Sequence, residues 1–274
     1  MNKNAASRVV KHALALRRGK SALRALPWEL VLSLAVLGLL WQLASDAVAN
    51  RILLPSPGLV LASLWQLLGS DLPADIVASL RHLAIGYFIG TSVGFVLALV
   101  AAASRLADAL LDPLVELLRP ISGIAWIPIA IAILGISEAV PIFLIAYVAV
   151  FPIFLNTLAG IRAVDRRLIA AAEVLGAGSA MIQVRVILPA ALPMILAGVR
   201  LSLGVSWMTL IAAELIGADS GLGWRSFWYE QFFSTHNTMA IILTVGVLGY
   251  LLDSCVRLIQ RSLTGWSRDL REAR

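Results

Sequence analysis

The chain has 274 residues, of which 60% are hydrophobic and only 14% are charged. Soluble globular domains are about half apolar and about one quarter charged, so this composition argues against a soluble enzyme and predicts a membrane protein. The formal net charge is +6, and a single cysteine, Cys255, excludes an internal disulfide framework.

Six apolar segments are long enough to cross a bilayer, which takes about 17 to 25 residues. In chain order they cover 27–45, 83–104, 120–137, 139–161, 189–217 and 238–259. The third continues an amphipathic segment that starts at Asp108. We therefore predict an all-α membrane protein with six transmembrane helices.

This pattern divides the chain into five parts. They are a basic leader over 1–26, a first transmembrane helix over 27–45, an outer loop over 46–79, a core over 80–260 and a tail over 261–274. The core contains a polar loop at 162–188. In the outer loop, Ser56 and Pro57 can begin an amphipathic helix that lies on the outer leaflet.

Basic residues are concentrated on one side of these spans. The leader holds seven lysines and arginines, and further arginines occupy the loop at 162–188 and the C-terminal end. The opposite side has only Arg51, Arg81 and Arg225. Because lysine and arginine favour cytoplasmic loops, both termini and the 162–188 loop are predicted to be cytoplasmic. The basic charge is then an orientation signal, and no nucleic acid partner is needed to explain it.

The leader has no small-residue cleavage site after a short apolar core, so we expect a retained tail and not a signal peptide. Its Gly-Lys-Ser at 19–21 resembles the end of a phosphate-binding loop, but Leu14 stands where the first glycine is required. The three histidines lie in separate regions, which argues against a histidine metal site. We therefore expect no cofactor on this chain.

Three glycines of the second span, Gly86, Gly90 and Gly94, are spaced by four residues. This spacing places them on one face of a helix, where a second helix can approach closely.

The fifth span contains two charged residues, Arg200 and Glu214. Each costs at least about 2.5 kcal/mol at the centre of a bilayer unless it is paired or hydrated. They lie about 21 Å apart along a helix, so they cannot pair with each other. We expect Arg200 to pair with Asp112 or Glu116 and Glu214 to lie at the outer end. Structural ion pairing is the favoured role for both, with substrate contact as the alternative.

The loop at 162–188 contains two short helical segments. Asp165 can cap the first, three alanines at 170–172 give it a small surface, and Gly176 can end it in a left-handed conformation. A second segment follows over 179–187. Such a small-sided helix suits docking into a groove of a soluble partner, and an ordinary connecting loop is the alternative.

This loop resembles the "EAA" motif of the membrane subunits of ABC-type importers. Ala171, Ala172, Gly176, Leu188 and Pro189 match the motif, and Val186 stands at its isoleucine position. Ala170 stands at the glutamate position, which removes a charge that could contact the partner ATPase, and Glu173 follows about one turn later. The predicted coupling-loop set comprises Ala170, Ala171, Ala172, Glu173, Gly176, Ala177, Val186, Leu188 and Pro189.

Further segments resemble the branch of that family that handles nitrate, taurine and alkanesulfonates. They include Leu-Pro-Ser-Pro at 54–57, Ala-Trp-Ile-Pro at 125–128, Ala-Glu-Leu-Ile at 213–216 and Ser-Gly-Leu-Gly at 220–223. The resemblance implies a five-helix type I core plus an N-terminal helix in a bacterial inner membrane. It also implies a homodimer surrounded by membrane lipid, two ATP-binding subunits that hold ATP and Mg, and an extracytoplasmic solute-binding protein.

Two other functions are weighed against an ATP-driven permease. A secondary ion-coupled transporter usually has paired inverted halves, which this sequence lacks. An intramembrane enzyme needs a clustered nucleophile and base or a metal site, and neither is visible.

Polar or aromatic residues of the third to fifth spans are candidates for lining a pathway, with hydrogen bonding between helices as the alternative for each. They are Trp126, Asn156, Arg200, Ser202, Ser206, Trp207, Thr209 and Glu214. An arginine near the path and few acids at mid-depth favour a small anionic solute.

Overall fold

The computed structural model describes residues 27–50 and 52–263. The leader predicted over 1–26, Arg51 and the tail from residue 264 onwards lie outside this described part. The chain divides into two compact units, Met1–Ala62 and Ser63–Arg274.

The described part of the first unit consists of helix α1, Pro27–Val48, and the beginning of helix α2, Pro57–Leu68. Two side chains of α1 hold the connection to α2. Trp41 Nε1 donates to the carbonyl of Pro55 at 3.1 Å, and Ser45 Oγ donates to the carbonyl of Leu54 at 2.9 Å. Ser56 Oγ accepts from the backbone N–H of Leu59 at 3.4 Å, so the helix begins at the predicted cap.

The described secondary-structure elements of the second unit are all helices. Its long helices are α3 (Leu72–Ala103), α4 (Arg105–Leu118), α6 (Ala139–Arg162), α9 (Leu188–Gly217) and α11 (Thr235–Leu263). Shorter helices are α5 (Ile127–Leu134), α7 (Arg166–Val174), α8 (Ser179–Ile182) and α10 (Leu222–Gln231). A 3₁₀ turn, Gly123–Trp126, precedes α5, and a π turn, Gln183–Ile187, joins α8 to α9.

Within the described residues, five helices are long and apolar enough to cross a membrane. A sixth span results if α4 and the segment Gly123–Leu134, bent by 85° at the break between them, count as one. The third span predicted over 120–137 thus corresponds to the segment Gly123–Leu134, and its predicted lead-in from Asp108 is the separate helix α4. Pro120 lies in the break, where it has no backbone N–H to continue the hydrogen bonds of α4.

The second span also differs from its prediction. Helix α3 begins at Leu72, whereas the predicted span began at residue 83, so the outer loop predicted to end at 79 and the core predicted to begin at 80 are corrected. The polar residues Asp75, Ser79 and His82 interrupt the apolar pattern before residue 83. All three are buried in the helix, and each bonds a side chain from a distant segment.

Helix α6 is the centre of the unit, and α3 and α9 pack on it. The three glycines of α3 face α6. A β-carbon added at Gly86 would lie 2.6 Å from the carbonyl oxygen of Ile142, and one at Gly94 would lie 2.5 Å from that of Val150. Gly90 faces the carbonyl of Ala146 in the same way. The two backbones therefore touch, which only glycine permits at these positions.

Candidate functional site

The predicted coupling loop contains a helix with a defined beginning and end. At its start, Asp165 Oδ1 accepts from the backbone N–H of Arg167 at 2.9 Å. At its end, Gly176 has φ +79°, its N–H donates to the carbonyl of Glu173 at 2.9 Å, and Ala177 N–H donates to that of Ala172 at 3.0 Å. These two bonds form a Schellman motif, which fixes the direction in which the chain leaves α7.

No residue of α7 is buried. Ala170, Ala171 and Glu173 are exposed, and Ala172 is half-buried. At the end of the helix, the apolar side chains of Val174 and Leu175 are 88% and 86% exposed. Met181 and Val184 on the following segment are exposed as well. The loop thus presents a small-residue helix beside an apolar surface that the rest of the described chain does not cover.

The second helical segment of the loop leads directly into the fifth span. Helix α8 passes through the π turn into α9, and Leu188 N–H donates to the carbonyl of Gln183 five residues earlier. Pro189, the next residue, has no N–H to donate, so the wider turn falls where the regular ladder is interrupted. Val186 and Leu188 are half-buried at this junction, and Pro189 is exposed. Movement of the loop would therefore be transmitted directly to α9.

At the other end of α9, Glu214 is completely buried. Its Oε2 accepts hydrogen bonds from Ser79 Oγ at 2.8 Å and from the backbone N–H of Gly223 at 3.0 Å. Its Oε1 lies 2.8 Å from His82 Nδ1. Glu214 lies near the end of α9 that is remote from the loop. Its hydrogen bonds join this end of α9 to α3 and α10, which is a structural role.

The turn between α9 and α10 packs closely against the Glu214 carboxylate. Gly221 has φ +107°, and a β-carbon there would lie 2.5 Å from the carboxyl carbon of Glu214. The N–H of Leu222 donates to Ser79 Oγ at 2.8 Å, so the serine hydroxyl links the turn to the carboxylate. The Ser-Gly-Leu-Gly sequence is therefore explained by a turn that only glycine can make against a buried acid.

Ion pairs surround the Glu214 cluster. Arg225 pairs with Asp75 at 2.6 Å and with Asp71 at 3.3 Å. Arg81 pairs with Glu138, whose carboxylate lies 4.0 Å from His82 Nε2. Both described arginines assigned to the outer side thus serve to join helix ends. Sequence reasoning missed the roles of Ser79 and His82, although their spacing of three residues places them on one helix face.

The partner of Arg200 is Asp253, so the predicted pairing with Asp112 or Glu116 is wrong. Arg200 Nε lies 2.7 Å from Asp253 Oδ1, and Nη2 lies 3.0 Å from Oδ2. Arg257 Nη2 bonds the same Oδ2 at 2.7 Å. Helix α11 packs against α9 and supplies the acid, a long-range pairing that sequence spacing does not reveal.

Two cavities lie beside the candidate pathway residues. A cavity of about 290 Å³ is lined by Thr209, Gly123, Tyr147 and Phe151 among others. A wider, more open groove of about 710 Å³ runs along α9 and α11, where Arg200 and Asp253 form part of its wall. Of the pathway candidates, Arg200 and Thr209 therefore border these spaces.

The remaining candidates make contacts between or within helices. Ser202 Oγ donates to the carbonyl of Ala149 at 3.0 Å, and Asn156 Nδ2 donates to that of Pro152 at 2.8 Å. Trp126 packs against Tyr147, and Trp207 packs against Gly249. Ser206 is buried. Among the described residues, no group of His, Cys, Asp or Glu side chains could hold a metal ion.

Comparison with known proteins places these features in a family. The model of the "binding-protein-dependent transport system inner membrane component" family matches residues 90–265. The chain belongs to this family. It is a multi-span inner-membrane permease component, and family membership favours an ABC importer over the secondary ion-coupled transporter.

Several curated relatives cover most of the chain. The putative aliphatic sulfonates transport permease protein SsuC of Bacillus subtilis is 37% identical over 234 residues, covering 85% of each chain. The taurine transport system permease protein TauC of Escherichia coli is 35% identical, covering 87% of this chain and 90% of that protein. The bicarbonate transport system permease protein CmpB of Synechococcus elongatus is 34% identical, covering 81% and 84%.

Solved structures agree on the fold. A chain of the inward-facing MetNI methionine ABC transporter superposes with a TM-score of 0.60 at 22% identity, covering 70% of this chain and 96% of that one. A chain of an amino acid ABC transporter superposes with a TM-score of 0.56 at 18% identity, covering 72% and 92%. The all-α permease core predicted from the sequence is therefore confirmed.

Proposed function

We propose that the chain forms the translocation pathway of an ATP-driven importer for a small anionic solute such as an alkanesulfonate, taurine or nitrate. Relatives that transport aliphatic sulfonates, taurine and bicarbonate support this class, because all these solutes carry a small acidic group. The partly exposed Arg200 is the observation within this chain that supports an anion.

The exposed loop supports docking on a separate ATPase subunit. Helix α7 has no buried residue, and Val174 and Leu175 at its end are almost fully exposed. A short amphipathic helix whose apolar side has no partner in its own chain suits a groove on a soluble subunit. Ala170, Ala171, Glu173 and the half-buried Ala172 and Ala177 would form the contact, and Gly176 would fix its direction.

The complete importer would contain two copies of this chain, two ATP-binding subunits and an extracytoplasmic solute-binding protein. ATP and Mg would be held by the ATP-binding subunits, which would carry out the hydrolysis. Both termini and the 162–188 loop would face the cytoplasm, because the basic residues of the sequence are concentrated there. Closure of the ATPase pair would move the two loops and, through the continuous α8–α9 segment, the wall of the pathway.

Replacement of Ala171, Ala172 and Gly176 by tryptophan tests the docking surface. Three indole rings would fill the small-residue side of α7, so we expect the ATPase subunit to be lost from the purified complex. Gly58→Trp is the matched control, because Gly58 also faces open space but lies on α2. Normal assembly and transport by the triple variant would overturn the proposed role of the loop.

A further inference from the structure

Two arginines share one carboxylate in the groove between α9 and α11. Arg200 contacts Asp253 through Nε and Nη2, and Arg257 contacts Asp253 Oδ2 through Nη2. The three groups therefore carry two positive charges and one negative charge. A pair alone would neutralise Asp253, so the second arginine leaves one positive charge in excess.

Arg200 lies near the middle of a membrane-spanning helix. Arg200 follows Leu188, the first residue of α9, by twelve residues, which corresponds to about 18 Å along the axis. An uncompensated charge at this depth is energetically unfavourable. The cost is removed by water or by an anion, and both need an open space beside the charge.

Such a space is present. The side chains of Arg200 and Asp253 are 42% and 38% exposed, and both border the groove of about 710 Å³. The rest of its wall includes Ala197, Gly204 and Met208, which are small or apolar. No atom lies within 4 Å of the position of a β-carbon at Gly204, so the space beside the helix is wide there.

We propose that Arg200 binds the anionic group of the transported solute in this groove, with Asp253 and Arg257 as positioning residues. This inference rests on the proposed function and adds the chemical contact. The bonds to Asp253 use the Nε–H and one N–H of Nη2, which leaves Nη1 and the second N–H of Nη2 to donate to an oxyanion. Arginine suits sulfonate-like groups because its planar fork donates to two oxygens. The apolar wall suits a short alkyl body.

The test uses the complete importer, reconstituted with its ATP-binding subunit and solute-binding protein. The double variant Arg200→Gln/Asp253→Asn removes the guanidinium but keeps the net charge of the group at +1. We expect wild-type assembly and a decrease of at least tenfold in ATP-driven uptake of methanesulfonate or taurine. Arg200→Lys, which keeps the charge and loses the fork, should give intermediate uptake.

The control is Arg81→Gln/Glu138→Gln, which removes another partly exposed ion pair and should leave uptake unchanged. Wild-type uptake by the Arg200→Gln/Asp253→Asn variant would overturn the inference and leave the proposed function intact. If the wild-type complex imports no anion with ATP, the proposed function itself fails.

A second measurement leaves the three charged residues in place and so does not depend on the folding of the double variant. Gly204→Cys in a Cys255→Ala background puts a single thiol in the groove. We expect an anionic methanethiosulfonate reagent to label it several-fold faster than a cationic one, and millimolar methanesulfonate to slow the labelling. Faster labelling by the cationic reagent, or no effect of methanesulfonate, would contradict an anion site.

Discussion

Ser79 and Glu214 are joined by a 2.8 Å hydrogen bond between two fully buried side chains that are 135 residues apart in the sequence. Through this bond, the N-terminal part of α3 holds the end of α9. The backbone of Gly223 and the ring of His82 complete the shell around the carboxylate. The end of α9 remote from the coupling loop is thus fixed, whereas the loop end is exposed.

Removal of the carboxylate should destabilise this end of the molecule. Glu214→Ala leaves Ser79 Oγ and the N–H of Gly223 without an acceptor, and each buried unpaired group costs about 1–3 kcal/mol. We expect the midpoint of thermal unfolding in detergent to fall by several degrees. Glu214→Gln, which keeps an acceptor oxygen and nearly the same shape, should lower the unfolding midpoint much less. Equal losses in the two variants would show that the hydrogen bonds contribute little.

The turn around the carboxylate depends on Gly221. Gly221→Ala places a methyl group against Glu214 and puts alanine in a left-handed backbone conformation. We therefore expect the free energy of unfolding to fall by about 1–3 kcal/mol. Gly246→Ala is the matched control, because Gly246 lies inside α11 with nothing within 4 Å. Alanine there should be neutral or stabilising, since it favours helix. A Gly221→Ala variant as stable as the wild type would argue against this close turn.

The contact of α3 with α6 depends on the glycine face. Gly90→Ala would push a methyl group into the carbonyl of Ala146, and overpacking of this kind costs about 1–3 kcal/mol. We expect a lower unfolding midpoint and a lower yield of folded protein from the membrane. Gly38→Ala in α1, where no atom lies within 4 Å, is the control. Unchanged stability of Gly90→Ala would contradict direct backbone contact between these helices.

The direction in which the chain leaves α7 depends on Gly176. Gly176→Val forces a β-branched residue into a φ of +79°, at a cost of about 1–2 kcal/mol, and should loosen the Schellman motif. We expect less solute imported per ATP hydrolysed in the reconstituted importer. Gly178→Val is the comparison, because Gly178 has a φ of −72° and open space around it. Equal coupling ratios in both variants would show that the left-handed cap is not required.

The sequence alone was sufficient to predict the helical class, four of the six spans and the ends of α7, because each depends on local composition and spacing. The cap at Asp165 and the left-handed Gly176 are signals of this local kind. The 85° bend between α4 and the segment Gly123–Leu134 was not predicted, because the sequence pattern gives no angle between consecutive segments. The partners of Arg200 and Glu214 were missed because α11 and α3 supply them across long sequence distances.

The most direct test of the proposed importer is solute uptake by proteoliposomes that contain the chain with its ATP-binding subunit, with solute-binding protein on the outside. We expect uptake of taurine or an alkanesulfonate to require internal ATP, both partner proteins and an intact coupling loop, and to persist when ion gradients are collapsed. Uptake by the chain alone, without ATP and driven by an ion gradient, would contradict the assignment.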